Sequence, residues 1–302
     1  MLERVITRRL QGYLKRAGAY SPGQYGFRSG VGTTHAIAVA TETLVVQEAS
    51  GSRCNLVLRD VSKAFDKVWY LGLKYKILHL GLPGPVEHLL CDFLEDRMAS
   101  IKVGGCAGRP FPLCSGVALG SVLSPTLHTI YTWDCPESAA GLNVQYAGDV
   151  TQLVYHPGRS SRMLNSRTGR EIARVNTYEA EWRIQTNHHK FAVIALATHN
   201  LTPLLVKEEL VDFSPSGRFL GLKVSGRGYS SHINSRVRQA KHALGSLYRF
   251  QDLEPRLKLR LIKTLVLPVL MYPPVPTHAL SRAAISRLQR VQNAALRFVL
   301  DI

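Results

Sequence analysis

QYAGDV, at positions 145–150, is the stretch of this sequence that decides its fold. On either side of it, within residues 142–155, apolar and β-forming residues flank the small pair Ala147-Gly148. Two strand-forming runs joined by two turn residues are typical of a β-hairpin. The stretch therefore predicts an antiparallel hairpin in which Asp149 follows the turn.

A second carboxylate follows an apolar run further upstream. Residues 54–58 are compatible with a buried strand, and Asp60 stands at its end. Pairing of this strand with the hairpin would bring Asp60 and Asp149 together. Two carboxylates on neighbouring strands form a minimal Mg²⁺ site for nucleotidyl transfer, because Mg²⁺ prefers carboxylate oxygens. The ordinary alternative stays open, since an Asp after a strand often caps a helix and Gly-Asp is a common turn dipeptide.

Composition restricts the class of partner. The chain has 302 residues and is 45% hydrophobic, which suits a globular protein of two or three subdomains. Lys and Arg number 38 against 21 Asp and Glu, a net charge of +17. This excess favours nucleic acid, because neutralised phosphates release counterions. An acidic membrane surface is the weaker alternative, since the basic residues are spread along the whole chain.

Cysteine use and hydropathy exclude further classes. The five cysteines include no Cys-x-x-Cys pair, so neither a disulfide partner nor a zinc site is expected. An intracellular location, nuclear or cytoplasmic, fits best. No run approaches the roughly 18 apolar residues of a membrane span, and no signal peptide is visible. Residues 2–10 suggest an amphipathic helix already under way, so we expect the chain to begin inside a domain.

The remaining pattern predicts helices, then mixed elements, then helices. The predicted elements are two helices in 1–50, the second starting at Thr33 or Thr34; a helical stretch broken at 81–85; strands around Gly104-Gly105; a helix carrying Ile172, Val175 and Trp182; short strands in 191–224; and helices from 231. This order suits an α+β fold with an antiparallel sheet in the middle.

Three segments resemble the polymerase motifs of the reverse transcriptase encoded by non-LTR (LINE-like, jockey-type) retrotransposons. They are DVSKAFDKVW at 60–69, GVALGSVLSP at 116–125 and YAGD at 146–149. Shorter matches are QYGFR at 24–28, WRIQTNHHK at 182–190 and FLG at 219–221. The resemblance covers nearly the whole chain in the family's order. It implies an α+β right-hand polymerase, in which a palm with an antiparallel sheet carries partial helical fingers and a helical thumb.

The resemblance also implies boundaries, partners and a reaction. Residues 1–53 would be partial fingers, 54–211 the palm with a finger-side helical insertion, and 212–302 the primer-grip hairpin with a truncated helical thumb-side region. The implied reaction is RNA-templated DNA synthesis from a DNA primer and deoxynucleoside triphosphates. Two Mg²⁺ ions are implied as cofactors, and no membrane is expected as a partner.

Most of the implied site residues surround the first motif. Asp60 and Asp149 are implied as metal ligands, and the Val61 carbonyl as a further metal contact beside the nucleotide. Phe65 is implied as the ring that excludes a ribose 2′-hydroxyl, with a core aromatic as the alternative. Lys190 is implied as the proton donor to departing pyrophosphate, although a solvated lysine is the commoner explanation.

The other implied contacts lie on loops. Leu119 and Gly120 belong to the loop beside the incoming nucleotide, which leads into a helix with Ser124 as the expected N-cap. An ordinary loop–helix junction is the alternative there. Arg28 is implied near the template. The turn Phe219-Leu220-Gly221 is implied to grip the primer.

Three positions depart from the family's pattern. The family's hairpin reads Tyr-Ala-Asp-Asp, and its first Asp, a metal ligand, is replaced here by Gly148. Asp149 remains, but neighbouring strand residues start from opposite faces. Leu119 stands where a Gln normally touches the nucleotide, and Arg59 where an apolar residue is usual. We therefore expect a degenerate, truncated copy.

Three functional hypotheses follow. In the first, the chain still polymerises, weakly or not at all, with Asp60 and Asp149 as ligands. In the second, it is a catalytically inactive basic remnant that binds nucleic acid. In the third, it is a decayed fragment that does not fold stably.

Overall fold

The computed structural model describes residues 1–158, 160–196 and 203–302. Its α-helices are α1 (Leu2–Arg16), α2 (Thr33–Ala49), α3 (Tyr70–His79), α4 (Gly84–Asp92), α5 (Ser124–Tyr131), α6 (Ser161–Glu181), α7 (Ser230–Leu247), α8 (Pro255–Leu261), α9 (Leu267–Met271) and α10 (Arg282–Leu300). Its strands are β1 (Arg53–Asp60), β2 (Met98–Ala99), β3 (Lys102–Val103), β4 (Cys106–Ala107), β5 (Phe111–Pro112), β6 (Gly141–Tyr146), β7 (Asp149–His156), β8 (Ala192–Leu196), β9 (Leu204–Val206), β10 (Glu209–Val211), β11 (Ser216–Phe219) and β12 (Leu222–Ser225).

Most of the predicted elements are confirmed. Helix α2 begins at Thr33, β3 pairs with β4 around Gly104-Gly105, and Ala147-Gly148 joins β6 to β7. Short strands fill much of 191–224, although residues 197–202 of that prediction lie outside the described part. Trp182 was wrongly placed on a helix, because α6 ends at Glu181 and Trp182 follows it.

The hairpin belongs to a four-stranded sheet with the order β6-β7-β1-β8. Strand β1 pairs antiparallel with β8, so that Cys54 lies opposite Leu196 and Leu58 opposite Ala192. Residues 54–59 are all buried, as expected for a strand with neighbours on both sides. The predicted α+β class with a central antiparallel sheet is confirmed.

The chain divides into two compact units, each discontinuous in sequence. The first comprises 1–32, 59–152 and 169–191, and the second 33–58, 153–168 and 192–302. The predicted carboxylates and nucleotide loop lie in the first unit, and the predicted primer-grip turn lies in the second. The assignment of fingers, palm and thumb ranges stays a prediction.

Each unit has its own hydrophobic core. In the first, the core includes Leu14 of α1, Ile77 of α3 and Leu127 of α5, all fully buried. In the second, Ala240 of α7 and Val291 of α10 pack together at full burial. Burying a Val, Leu or Ile side chain contributes about 1.5–3 kcal/mol. Within the described ranges, no helix is both long and apolar enough to cross a bilayer.

Candidate active site

Strand β1 and the β6–β7 hairpin bring the two predicted carboxylates to one place. Asp60 is the last residue of β1, Asp149 is the first of β7, and the two strands are neighbours in the sheet. The Val61 N–H donates to the Gly148 carbonyl at 3.1 Å, which fixes the strand ends against each other. The Asp60 carbonyl accepts the N–H of Asn187 at 2.7 Å. Backbone hydrogen bonds at the strand ends therefore fix the positions from which both carboxylates extend.

The Asp149 carboxyl group lies within hydrogen-bonding reach of the Asp60 carboxyl group, so the two share a hydrogen bond when one of them carries a proton. Burial, this hydrogen bond and the negative charge of Asp60 raise the pKa of Asp149 to about 6, while Lys190 opposes the increase. Lys190 Nζ lies 3.1 Å from Asp60 Oδ2, and most of the Lys190 side chain is exposed. Two adjacent carboxylates resist joint ionisation unless a cation neutralises them. The pair is therefore a cation-attracting cluster, in which Lys190 supplies part of the positive charge.

Gly148 faces the residues that follow Asp60. A Cβ added there would meet Ala64 Cβ at 2.8 Å, Val61 Cβ at 3.4 Å and the Val61 carbonyl oxygen at 3.9 Å. A carboxylate at position 148 would thus start beside the predicted metal contact of Val61. It would also require the hairpin or Ala64 to move, because a Cβ–Cβ distance of 2.8 Å is too short. The carboxylate that meets Asp60 is the one on Asp149.

The donor set fits one Mg²⁺ ion better than two. Mg²⁺ is commonly held by one or two carboxylates, with waters and substrate phosphates completing its octahedron. Asp60 and Asp149 supply such a pair, and burial together with the neighbouring Asp60 raises the pKa of Asp149. No group of three or more His, Cys, Asp or Glu side chains suited to a metal occurs in the described part of the chain. The described part of the chain therefore offers one carboxylate pair at this place, and a ligand role for position 148 stays a prediction.

Phe65 is half-buried at the edge of the first unit's core. Its ring stacks on His128 with centroids 4.9 Å apart and meets Phe27 edge-on at 5.7 Å. Its carbonyl accepts the N–H of Val117 at 2.8 Å, which links the first motif to the 116–125 loop. These contacts fit the core-aromatic alternative, and the role of Phe65 against a ribose hydroxyl stays a prediction.

The 116–125 loop exposes the two residues predicted to contact the nucleotide. Leu119 is 73% exposed, and Gly120 has φ +88°, with no described atom beyond its chain neighbours within 4 Å of an added Cβ. The expected Ser124 cap is wrong, because Leu123 already has helical φ and ψ and is itself the N-cap. Ser124 instead lies in the first turn of α5, where its buried hydroxyl meets no hydrogen-bond partner among the described residues.

The template and primer residues are held by local contacts. Arg28 Nη1 donates to the Gln24 carbonyl at 3.0 Å, and its guanidinium lies 4.9 Å from the centre of the Tyr20 ring. In the second unit, Phe219 is buried, while Leu220 and Gly221 both have positive φ, 48° and 86°. Positive φ at both turn residues is typical of the two-residue hairpin turn. Template and primer contacts stay predictions.

Arg59, an unexplained departure in the sequence, has a partner that the sequence did not reveal. It is 3% exposed, and its Nη1 lies 3.3 Å from Glu179 Oε2 while its Nη2 donates to the Ile172 carbonyl at 3.1 Å. Burial lowers the pKa of Arg59, and the Glu179 carboxylate opposes that shift. The buried pair joins the end of β1, next to Asp60, to helix α6. A lone Glu 120 positions away gave no signal in the sequence.

His128 gives the first unit a pH-dependent stability. It is fully buried in α5, and burial lowers its pKa to about 4. An unfolded histidine titrates near 6.5, so between about pH 6.5 and 4 the unfolded state binds more protons than the folded one. Stability present above pH 6.5 is therefore lost as the pH falls, by about 3 kcal/mol in full. We expect His128→Phe, which keeps a stacked ring, to remove this component.

The measurement is urea unfolding of the native chain and His128→Phe at pH 7 and pH 4.5. At the lower pH the native chain should lose more unfolding free energy than the variant, so the difference between them should change in favour of the variant. Carboxylates that titrate in both proteins cancel in this difference. An identical difference at both pH values would refute the assignment of this acid sensitivity to His128.

Comparison with known proteins gives consistent results. The sequence pattern of the family described as reverse transcriptase (RNA-dependent DNA polymerase) matches residues 1–224. The probable RNA-directed DNA polymerase from transposon BS of Drosophila melanogaster is 26% identical over 99% of this chain. The RNA-directed DNA polymerase from mobile element jockey of Drosophila funebris is 26% identical over 98%. This chain spans about a third, 34%, of the length of each relative.

A solved structure shows the same fold at low identity. Apo telomerase from Candida tropicalis superposes with a TM-score of 0.54 at 13% identity, over 99% of this chain and 50% of the telomerase chain. At that identity the likeness shows the fold alone.

Proposed function

Because this chain belongs to the reverse transcriptase (RNA-dependent DNA polymerase) family, we propose that its first unit carries a nucleotidyl-transfer site for RNA-templated DNA synthesis, weakened by the loss of one metal-binding carboxylate. The match of residues 1–224 supports the family, and the LINE-like, jockey-type relatives support the lineage. The proposed partners are an RNA template, a DNA primer and deoxynucleoside triphosphates, with Mg²⁺ as cofactor.

One observation carries this proposal: the carboxyl groups of Asp60 and Asp149 are adjacent at the strand ends, with Lys190 beside them. A buried carboxyl group such as that of Asp149, whose pKa is raised beside a second carboxylate and a charge partner, is typical of a functional site. Both residues also lie at the ends of strands whose backbone is fixed by hydrogen bonds, rather than on a free loop. An Asp that merely caps a turn would have no need of a second carboxylate at hydrogen-bonding distance.

Each residue of the cluster has a proposed task. Asp60 and Asp149 would hold Mg²⁺, which when bound supplies charge neutralisation for phosphate oxygens and for the attacking hydroxyl. Lys190 neutralises Asp60 in the chain as it stands, and its exposed ammonium group can also meet a departing phosphate. The Val61 carbonyl lies on the side that position 148 faces. Phosphoryl transfer depends mainly on such positioning and charge, since the protein forms no covalent bond.

The departures at positions 148 and 119 reduce the expected activity. Loss of even an outer-shell partner of a metal site typically costs 10–100-fold in affinity or activity, and Gly148 removes a ligand itself. The exposed Leu119 side chain cannot donate or accept a hydrogen bond. We therefore propose weak or lost polymerisation in this copy, and locate the main defect at the missing carboxylate.

Primer extension on an RNA template, with Mg²⁺ and then Mn²⁺, tests the site. We expect weak incorporation by the native chain that is abolished by Asp60→Asn, because the variant removes a ligand charge at almost constant shape. Asp66→Asn is the matched control, since Asp66 belongs to the same motif but is exposed. Measurable incorporation by Asp60→Asn at the native rate would place the chemistry elsewhere.

A second proposed function, nucleic-acid binding without synthesis, rests on the charge. The chain carries 38 Lys and Arg residues, and in the described ranges only six of them form ion pairs with carboxylates. Most of the positive charge thus remains for phosphates. Duplex affinity should fall with log–log slope of about −0.9 per phosphate contacted on DNA. Affinity that does not change between low and moderate salt would exclude this function.

A further inference from the structure

A carboxylate from the first turn of α1 holds one end of the loop that carries Leu119 and Gly120. Glu3 Oε2 accepts the Ser121 hydroxyl at 2.8 Å and the N–H of Val122 at 3.0 Å. The Ser121 oxygen in turn accepts the N–H of Leu123 at 3.2 Å. Hydrogen bonds to an ionised acceptor are stronger than neutral ones. Three linked bonds therefore fix the chain between Gly120 and α5.

The other end of the loop is fixed independently. Arg97 Nη1 donates to the Gly116 carbonyl at 2.5 Å and to the Tyr70 hydroxyl at 3.1 Å. The N–H of Gly116 donates to the Val68 carbonyl at 2.9 Å. Between these two anchors the loop exposes Leu119 and leaves open space around Gly120. The loop thus has two fixed ends and an exposed apex, where the Ser121 N–H donates to the Ala118 carbonyl at 3.1 Å.

The position of Glu3 also suits the electrostatics of α5. Helix α5 begins at Ser124, and its N-cap Leu123 provides no side-chain acceptor. The Glu3 carboxylate, bound to the two residues before that cap, brings negative charge to the end of the helix where the dipole is positive. The Glu3 side chain therefore both fixes the loop and compensates for the acceptor that the N-cap Leu123 does not provide.

We propose that Glu3 is a positioning residue that sets the loop at 116–125 for the incoming deoxynucleoside triphosphate. The inference rests on the proposed function, which identifies the ligand of this loop. A loop whose ends are held loses less conformational freedom when it closes on a ligand, so its affinity is higher. Removing the Glu3 carboxylate frees the C-terminal anchor while the anchor at Gly116 remains.

The test combines two measurements on the full chain bound to primer–template. The first is a titration with a fluorescent deoxynucleoside triphosphate in the presence of Mn²⁺. The second is hydrogen exchange of the loop, where the amide of Val122 reports directly on its bond to Glu3. The variants are Glu3→Ala and Glu3→Gln, and the control is Arg4→Gln, an exposed charge on the same helical turn.

We expect Glu3→Ala to raise the nucleotide Kd roughly tenfold and to speed exchange at Val122, since two charge-assisted hydrogen bonds are lost. Glu3→Gln keeps an oxygen acceptor and should recover part of the affinity. Arg4→Gln should match the native chain in both measurements. A purely structural role would lower the unfolding temperature without this ordered series of Kd values.

Three results would overturn the proposal. Faster exchange at Val122 with unchanged Kd would mean that Glu3 holds a loop that the nucleotide does not use. Unchanged exchange would mean that Glu3 does not hold the loop. A native chain that binds no nucleotide would overturn it through the proposed function itself, which the Asp60→Asn comparison tests separately by primer extension.

Discussion

Gly148→Asp is expected to raise primer extension by at least 10–100-fold over the native chain, because it returns a carboxylate to the side of the metal site that now has none. The Cβ at this position starts 3.9 Å from the Val61 carbonyl, so the new carboxylate would share its surroundings with that oxygen. The measurement is the rate of incorporation on an RNA template with Mg²⁺.

The controls separate charge from shape. Gly148→Asn adds nearly the same volume without the negative charge, and it should leave activity at the native level. Both variants must displace Ala64, whose Cβ would lie 2.8 Å from the new Cβ. If both variants fail, Gly148→Asp combined with Ala64→Gly removes that contact. Equal and measurable activity of the Asp and Asn variants, or equal activity of the two after Ala64→Gly is added to both, would refute the missing carboxylate as the main defect.

Glu179→Ala is expected to lower the free energy of unfolding of the first unit by about 3–5 kcal/mol, because it leaves the Arg59 guanidinium buried without a counter-charge. Arg59 is 3% exposed and Glu179 is 9% exposed, so water cannot readily replace the lost partner. Glu179 Oε1 also accepts the Thr186 hydroxyl at 2.7 Å, and that bond would be lost as well. Urea unfolding measures the change.

Two further variants sharpen this prediction. Glu181→Ala changes an exposed carboxylate at the end of the same helix and should alter stability by less than about 0.5 kcal/mol. Replacing Arg59 and Glu179 together by Met and Leu should recover most of the loss, because a buried pair can often be exchanged for apolar residues. A Glu179→Ala variant as stable as Glu181→Ala would contradict the account of Arg59.

The sequence predicted the hairpin and its neighbours because their signals are local. Two turn residues between apolar runs specify the β6–β7 connection, and Thr33 marks the start of α2. Ser124 shows the limit of such rules, since a Ser-Pro pair fits a helix start at more than one register. The backbone entered helical geometry at Leu123 instead. Boundaries depend on packing that a short sequence window does not contain.

The sequence predicted the carboxylates of the candidate site but not the side chains that hold the surrounding structure in place. Asp60 and Asp149 follow from strand ends and from the family's motifs. Glu3 and Glu179 could not be found in this way, because each meets its partner across more than 100 residues of sequence. Nothing in their local pattern distinguishes them from solvated carboxylates. Contacts of this kind require the tertiary structure.

The most direct test of the account is Mn²⁺ titration of the folded chain, followed by the electron paramagnetic resonance signal of the free ion. It measures the metal site without dependence on nucleotide, template or the Leu119 loop. We predict that Asp60→Asn weakens Mn²⁺ binding by about 10–100-fold and that Gly148→Asp tightens it by a similar factor, while Gly148→Asn does not. Native, Asp60→Asn and Gly148→Asp chains that bind Mn²⁺ equally well would contradict the claim that Asp60 and Asp149 form a metal site lacking one carboxylate.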